Sequence, residues 1–486
     1  MKRTLVALVV VLSLSTASPA GAAALSIGDA APPLKITEWV KGDPVDLAAV
    51  RGKRIVVMEI WATWCGPCLS SIPHLTELQH RFGSKGVTVV GVTSRDENNT
   101  LEQVRSFVAD RGERMDFTVG FDREGITERT YMEQTGQQGI PTAFVIDRQG
   151  RLAWIGHPLF GLQEALAEMV AGTYDMQLAR KVFERSNQLN QAMMSGRFDE
   201  ALRHAEQIIR LKPDHAVGWE TRLFLLTGPL GQPEQALAAG EEALRVLGDR
   251  AELLASVARI LLAGDSERYH GLATRLVTRA VELAPREGAV RRVQFSLLIA
   301  QGREKEALRV AEQSIDLLRG TPAALTELAG TLASPQPDSP RNDLALRAIE
   351  LAIAAEPAEP AHLESKFYLL AAFQSDRSAA EAAGRLFIDQ AGSDAAALNS
   401  FAWQLLTDPA LGGRYHRLAL LAAERANRSS SGRNWEVLDT LALAKFETGA
   451  VAEAVELQKQ AIARCDNPQA LPSLKQALAR FQAEER

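Results

Sequence analysis

At 486 residues the chain is too long for one ordinary domain, and two or three are expected. A composition of 46% hydrophobic and 23% charged residues, without a low-complexity tract, excludes a disordered or fibrous chain. The net charge of -6 is spread along the length rather than gathered into a basic patch, which argues against nucleic acid or an anionic membrane surface as partner.

Residues 1–24 read as a signal peptide. Lys2 and Arg3 are positive, Leu5 to Leu14 is almost wholly apolar, and Ala20-Gly21-Ala22-Ala23-Ala24 offers A-x-A cleavage patterns ending at Ala22 or Ala24. The apolar run is about ten residues against the roughly twenty that span a bilayer, so a retained anchor is the weaker alternative. No other stretch is apolar for long enough, so no stable membrane span remains after cleavage. The expected location is exported, and periplasmic if the source is a Gram-negative bacterium.

Residues 25–172 alternate strand and helix signals. Arg54 to Trp61 is a short apolar run rich in β-branched residues, as a buried central strand should be. An amphipathic helix over 69–82 follows, then a second buried strand over 87–92 and a helix over 101–111. Runs 142–147 and 152–155 flank Arg148-Gln149-Gly150-Arg151 and predict a β-hairpin, with a closing helix over 159–170. The expected fold is α/β.

Beyond about residue 173 the strand signal vanishes and a helical period takes over. Alanine pairs seven residues apart recur at Ala236/Ala243, Ala273/Ala280, Ala345/Ala352, Ala419/Ala426 and Ala454/Ala461. Ala201 (then Ile208) and Ala307 (then Ser314) are half matches, and a degenerate slot is expected around residues 378–390. Small residues at this spacing let two helices approach closely. Residues 173–486 resemble the tetratricopeptide repeat (TPR), two antiparallel helices per roughly 34 residues, which implies an all-α solenoid.

Three cysteines are present: Cys65, Cys68 and Cys465. They are too few for a disulfide-stapled exported domain. A C-x-x-C can be half of a zinc site, but no second one follows and the eight histidines lack ligand spacing; no metal and no cofactor are expected. Cys465 reads as a small buried hydrophobe after the last repeat helix, an intermolecular disulfide being the alternative.

The chemistry lies in Trp61-Ala62-Thr63-Trp64-Cys65-Gly66-Pro67-Cys68. Thiol–disulfide exchange needs a thiolate, and a helix N-terminus supplies the partial positive charge and free N–H groups that favour one. Pro67 suits the first helical turn, where its missing N–H costs little. Strand, C-x-x-C and helix follow in the order that this chemistry requires.

The motif and its Trp-Ala-x-Trp lead-in resemble the thioredoxin superfamily, and within it the TlpA/ResA-like exported branch. Ile27-Gly28-Asp29-Ala30-Ala31-Pro32, Val45-Asp46-Leu47, Arg51-Gly52-Lys53, the helical insert near 97–111 and Gly139-Ile140-Pro141-Thr142 extend the likeness over residues 27–172. The resemblance implies that Cys65 attacks and Cys68 resolves, with Trp64, Gly66 and Pro67 as motif support. It also implies a cis Pro141 that faces the pair and offers the preceding backbone to a substrate chain.

Many relatives carry Glu three residues after the second Cys, where this chain has Ser71. Glu59, six residues before Cys65, holds the place where thioredoxins bury an Asp. It is either a partly solvated residue at a sheet edge or a proton acceptor for resolution; the cost of a lone carboxylate in an apolar strand favours the second.

The leading expectation is a thiol–disulfide oxidoreductase, reducing protein disulfides with electrons from an unidentified donor, its TPR array recruiting a protein or peptide partner. The alternatives are an interaction scaffold with a vestigial redox domain and a thiol peroxidase. The peroxidase would need Thr three residues before the reactive Cys, and Ala62 stands there.

Overall fold

The computed structural model describes residues 25–485 except 97–98, 265, 338, 374–375, 466 and 468–469, so the signal peptide assigned to residues 1–24 lies outside the described residues. The first unit is a six-stranded sheet: β1 (Glu38–Lys41), β2 (Ile55–Ile60), β3 (Val87–Ser94), β4 (Thr118–Asp122), β5 (Thr142–Ile146) and β6 (Leu152–Gly156) in the order β1-β4-β3-β2-β5-β6. β2, β3 and β4 are parallel, and β5 runs antiparallel to β2 and pairs with β6 in the expected hairpin. β2 is an interior strand, and all six of its residues are buried, which is why its sequence is a continuous apolar run rather than an alternating one.

Four helices connect these strands, α1 (Leu47–Val50), α2 (Gly66–Phe82), α3 (Leu101–Arg111) and α4 (Ile126–Thr135), and α5 (Leu162–Ala171) follows β6. Asp46 caps α1 and a Thr100–Gln103 capping box opens α3. α2 begins at Gly66, three residues before the expected start at Leu69, because Cys65 is itself the N-cap. The closing helix begins at Leu162, not Leu159; the segment before it is a turn that ends on Gly161, in the left-handed region at φ 79°. β4 and α4 lacked a sequence assignment. Val119, Phe121 and Tyr131 bury their rings and methyls there, but Gly120 and the polar residues between them broke the local period.

The rest of the described chain is helical, consistent with a solenoid. Helices pair as α6 (Met176–Met194) with α7 (Phe198–Leu211), α8 (Ala216–Thr227) with α9 (Pro233–Val246), α10 (Ala251–Ala263) with α11 (Ser266–Leu283), and α12 (Gly288–Ala300) with α13 (Glu304–Leu317). The series continues with α14 (Pro322–Leu332) and α15 (Pro340–Ala355), α16 (Pro360–Tyr368) and α17 (Arg377–Gln390), α18 (Ala395–Thr407) and α19 (His416–Ser429), α20 (Trp435–Glu447) and α21 (Val451–Arg464). α22 (Leu471–Glu485) covers the last pair through Phe481, stacked on Phe446 at 4.5 Å.

Every alanine of the periodic pairs is wholly buried, and all lie on the second helix of a pair. The degenerate slot is α17. Ala380 keeps the first small position, Phe387 replaces the second, and Gly384 takes up the crowding: a Cβ there would meet Leu418 Cδ2 at 2.6 Å. Cys465 corrects the expectation of a buried thiol. It is the C-cap of α21, only half-buried, with its Sγ 3.3 Å from the Asn467 carbonyl oxygen.

The two units share a hydrophobic seam. Phe183 of α6 belongs to the core cluster of Val56, Met58 and Phe144, with Met176 and Ala179 packed against it. The Tyr174 hydroxyl donates to the Ala153 carbonyl at 2.6 Å. Further along, Arg114 pairs with Glu359 at 3.0 Å and the Ser393 hydroxyl lies 3.1 Å from an Asp110 carboxylate oxygen, so the middle of the helical array also touches the end of α3.

Candidate functional site

β2 delivers the chain into Trp61-Ala62-Thr63-Trp64, and Cys65 caps α2 in extended conformation (φ -80°, ψ 98°), its sulfur accepting the Cys68 N–H at 3.2 Å. Pro67 lies in the first helical turn, as its missing N–H allows. Cys65 and Cys68 form a disulfide. Both cysteines are buried, Cys65 at 4% exposed and Cys68 at 0%, so the first is the less enclosed of the two. Trp64 beside them is 46% exposed, an unusual position for so large an apolar side chain.

The loop before β5 faces this pair. The Ile140–Pro141 peptide is cis, and the Ile140 carbonyl oxygen lies 3.7 Å from Cys65 Sγ. The Thr142 hydroxyl donates to the Gly139 carbonyl at 2.7 Å and closes the turn.

Glu59 excludes the sheet-edge alternative. It is 1% exposed on the interior strand β2, with Gly91 of β3 and Ala143 of β5 as register neighbours. Its Oε1 lies 2.5 Å from the Ser71 Oγ of α2, and its Oε2 has no partner. Burial pushes the Glu59 carboxyl up to about 8, against the smaller opposing effect of the Ser71 hydroxyl. The structure therefore brings Cys65, Cys68, Pro141 and Glu59 to one end of β2 and α2, and Ser71, known from the sequence only as a departure, joins them.

A further brace comes from a loop that sequence reasoning did not single out. Asn99 is fully buried; its Oδ1 accepts the N–H of Thr63 at 3.0 Å and the Thr63 hydroxyl at 2.9 Å. Its Nδ2 donates to Thr93 Oγ1 and to the Ser94 carbonyl, both at 2.6 Å. Trp64 Nε1 donates to Asp96 at 2.8 Å. Nothing local marks Asn99 as a brace, because its bonds to Thr63, 36 residues away, exist only once β3 lies beside β2.

Residues 26–160 match the Redoxin family model, which ends before the helical array begins. The chain is 28% identical over 177 residues to protein FixW of Rhizobium leguminosarum, covering 36% of this chain and 79% of that protein. It is 31% identical over 128 residues to thiol-disulfide oxidoreductase ResA of Bacillus thuringiensis subsp. konkukian, covering 26% of this chain and 68% of ResA. Among solved structures, a Chlorobium tepidum protein described as a DsbE thiol:disulfide interchange protein is 32% identical and covers 31% of this chain and 99% of that one, at a TM-score of 0.26. An identity of 31% across 68% of ResA is more than a shared motif can produce, and the chain belongs to the ResA-like thiol-disulfide oxidoreductases of the thioredoxin superfamily.

Proposed function

We propose that this oxidoreductase is an exported, periplasmic-type reductase of protein disulfides, with a TPR-type array that recruits its partner. One observation carries the redox assignment: Cys65 stands at the N-terminus of α2 with the Ile140 carbonyl beside it, so an activated thiolate and a docking backbone share one opening. The signal-peptide pattern of residues 1–24 supports export, and the alanine period supports a TPR array.

The Cys65 thiolate attacks a substrate disulfide, breaking its S–S bond and expelling one substrate thiolate. The Cys68 thiol then attacks the Cys65 sulfur. The Cys65–Cys68 bond forms, the second substrate thiolate leaves, and the Cys68 proton passes to the Glu59 carboxylate. Two electrons move from the cysteine pair to the substrate, and a separate thiol donor restores them. Pro141 holds the Ile140 carbonyl where a substrate backbone can meet it. Trp64 adds an exposed apolar face to the opening, and Gly66 and Pro67 shape the turn between the sulfurs.

The test is reduction of insulin by the full chain with dithiothreitol as donor, followed by a pull-down with Cys68→Ala, which cannot release a mixed disulfide. Turnover that disappears in Cys65→Ala, together with disulfide-linked partners held on Cys65, is expected. Absence of both leaves an interaction scaffold.

A further inference from the structure

The Ser71 hydroxyl meets two oxygens at once: Glu59 Oε1 at 2.5 Å and the Cys68 carbonyl at 2.8 Å. The second contact is the ordinary local bond of a helical serine to a carbonyl one turn back. The first is different, since Glu59 lies twelve residues away on another element and both residues are sealed from water. A hydroxyl has one hydrogen and donates to one acceptor at a time, while its oxygen can still accept. The two distances therefore describe a switchable pair of bonds. When Glu59 is protonated, its O–H donates to Ser71 Oγ and Ser71 donates to the Cys68 carbonyl. When Glu59 is ionised, the Ser71 hydrogen turns to the carboxylate.

We infer that Ser71 is a positioning residue for the resolving step, a donor whose single hydrogen turns between the Cys68 carbonyl and Glu59 so that the carboxyl is held in place in both of its charge states. The inference rests on the reading that Glu59 accepts the Cys68 proton. In that step the Cys68 S–H bond breaks, the Cys65–Cys68 bond forms, the bond from Cys65 to the substrate sulfur breaks, and the proton stays on Glu59. The disulfide structure is the product of this step, and a protonated Glu59 bonded to Ser71 is the product form of the acceptor.

Among the described residues no other group bonds the carboxyl. Gly91 and Ala143 beside it carry no polar side chain, and Val57 and Trp61 flank it on its own face of β2; the buried Trp61 Nε1–H, which stands against Gly91, makes no hydrogen bond to it. On the covering helices, burial lowers both the His74 imidazole and the Arg111 guanidinium, the carboxylates that oppose this being Glu77 and Glu164 for the first and Asp394, Glu359 and Asp110 for the second; burial and the Ser71 hydroxyl are what act on Glu59. Loss of the Ser71 hydroxyl therefore removes the one hydrogen bond that the described residues offer to the ionised form, in a site where desolvation opposes ionisation.

The experiment is an infrared pH titration of the protonated carboxyl band of Glu59 in the oxidised full chain, the band being assigned by its loss in Glu59→Gln. Ser71→Ala should raise the midpoint by about one to two pH units, the equivalent of one hydrogen bond to a charged group. Stopped-flow resolution of a mixed disulfide should shift its pH profile by the same amount, slowing about tenfold or more at pH 7. Ser71→Thr keeps the hydroxyl and should restore both. If the added methyl does not fit, Ser71→Ala placed on Glu59→Gln serves instead, and it should not slow resolution further. An unmoved midpoint in Ser71→Ala, with resolution still slowed by Glu59→Gln, overturns the role of Ser71 and leaves Glu59 as acceptor. Resolution unchanged in Glu59→Gln overturns both.

Discussion

Asn99 holds Thr63 by two bonds at once, accepting its backbone N–H at 3.0 Å and its hydroxyl at 2.9 Å. Thr63 stands two residues before Cys65, so a side chain from the β3–α3 loop sets the path by which β2 enters the turn of the disulfide. Asn99→Ala leaves the Thr63 donors, Thr93 Oγ1 and the Ser94 carbonyl short of a buried partner. The expected loss is about 1–3 kcal/mol of stability, measured by urea unfolding of the oxidised protein. A loss near zero would mean that water replaces the amide and that the loop is not braced.

The two sulfurs should differ in reactivity. In the reduced protein at pH 6–7, iodoacetamide should label Cys65 before Cys68, because Cys65 sits at the helix N-terminus and is the more accessible of the two. Mass spectrometry of partly labelled protein decides it. Equal labelling, or faster labelling of Cys68, would reverse the order of attack and resolution.

Glu59 makes stability depend on pH in a stated direction. Its folded carboxyl is raised from 4.5 to about 8, so between these values the unfolded chain ionises while the folded one keeps its proton. The folded state binds more protons in that window, and its stability falls as pH rises. The contribution is fully present below about pH 4.5 and lost as pH passes 8. The slope from this group is about 1.4 kcal/mol per pH unit. Unfolding of oxidised wild type and Glu59→Gln from pH 5 to 8 should diverge in favour of the variant. Parallel curves would show that the carboxyl titrates normally. In kinetics, Glu59→Gln should slow resolution by roughly one to two orders of magnitude and leave the attack of Cys65 nearly unchanged.

The seam at α6 governs how the units can be separated. A redox fragment cut at residue 172 should exchange thiols, yet it leaves the sheet without Tyr174, Met176 and Phe183. A fragment ending at residue 194, which keeps α6, should melt at the higher temperature. Phe183→Ala in the full chain should cost about 3 kcal/mol, as removal of a buried ring does. Equal melting temperatures for the two fragments would make the seam incidental.

Gly384 should not tolerate a methyl group. Its Cβ would stand 2.6 Å from Leu418 Cδ2, 3.1 Å from Phe367 Cδ2 and 3.3 Å from Phe401 Cζ, and two aromatic rings give way less easily than one leucine tip. Gly384→Ala should therefore destabilise the array by about 1–2 kcal/mol, strain outweighing the gain in helix propensity. A rise in melting temperature would show that Leu418 simply moves aside.

Local chemistry was enough for much of this protein. The apolar run into β2, the C-x-x-C with proline in its first turn, the hairpin at Gly150 and the alanine period each report on neighbours within one or two turns of chain, where backbone geometry ties spacing to face. That is why Cys65, Cys68 and the helix pairs could be read directly, including the slot at α17 whose second alanine is lost. What remained hidden depends on residues far apart in sequence. β4 and α4 owe their burial to the sheet and not to their own pattern. Asn99 gains its meaning only when β3 lies beside β2, and Glu59 is interior only because β5 inserts on the other side of β2. Ser71, a departure when read along the chain, becomes the carboxyl's partner because α2 folds back over the strand from which Glu59 rises. Burial and hydrogen bonding are pairwise properties of the folded chain, and a pattern along the sequence specifies a face without naming what will stand opposite it.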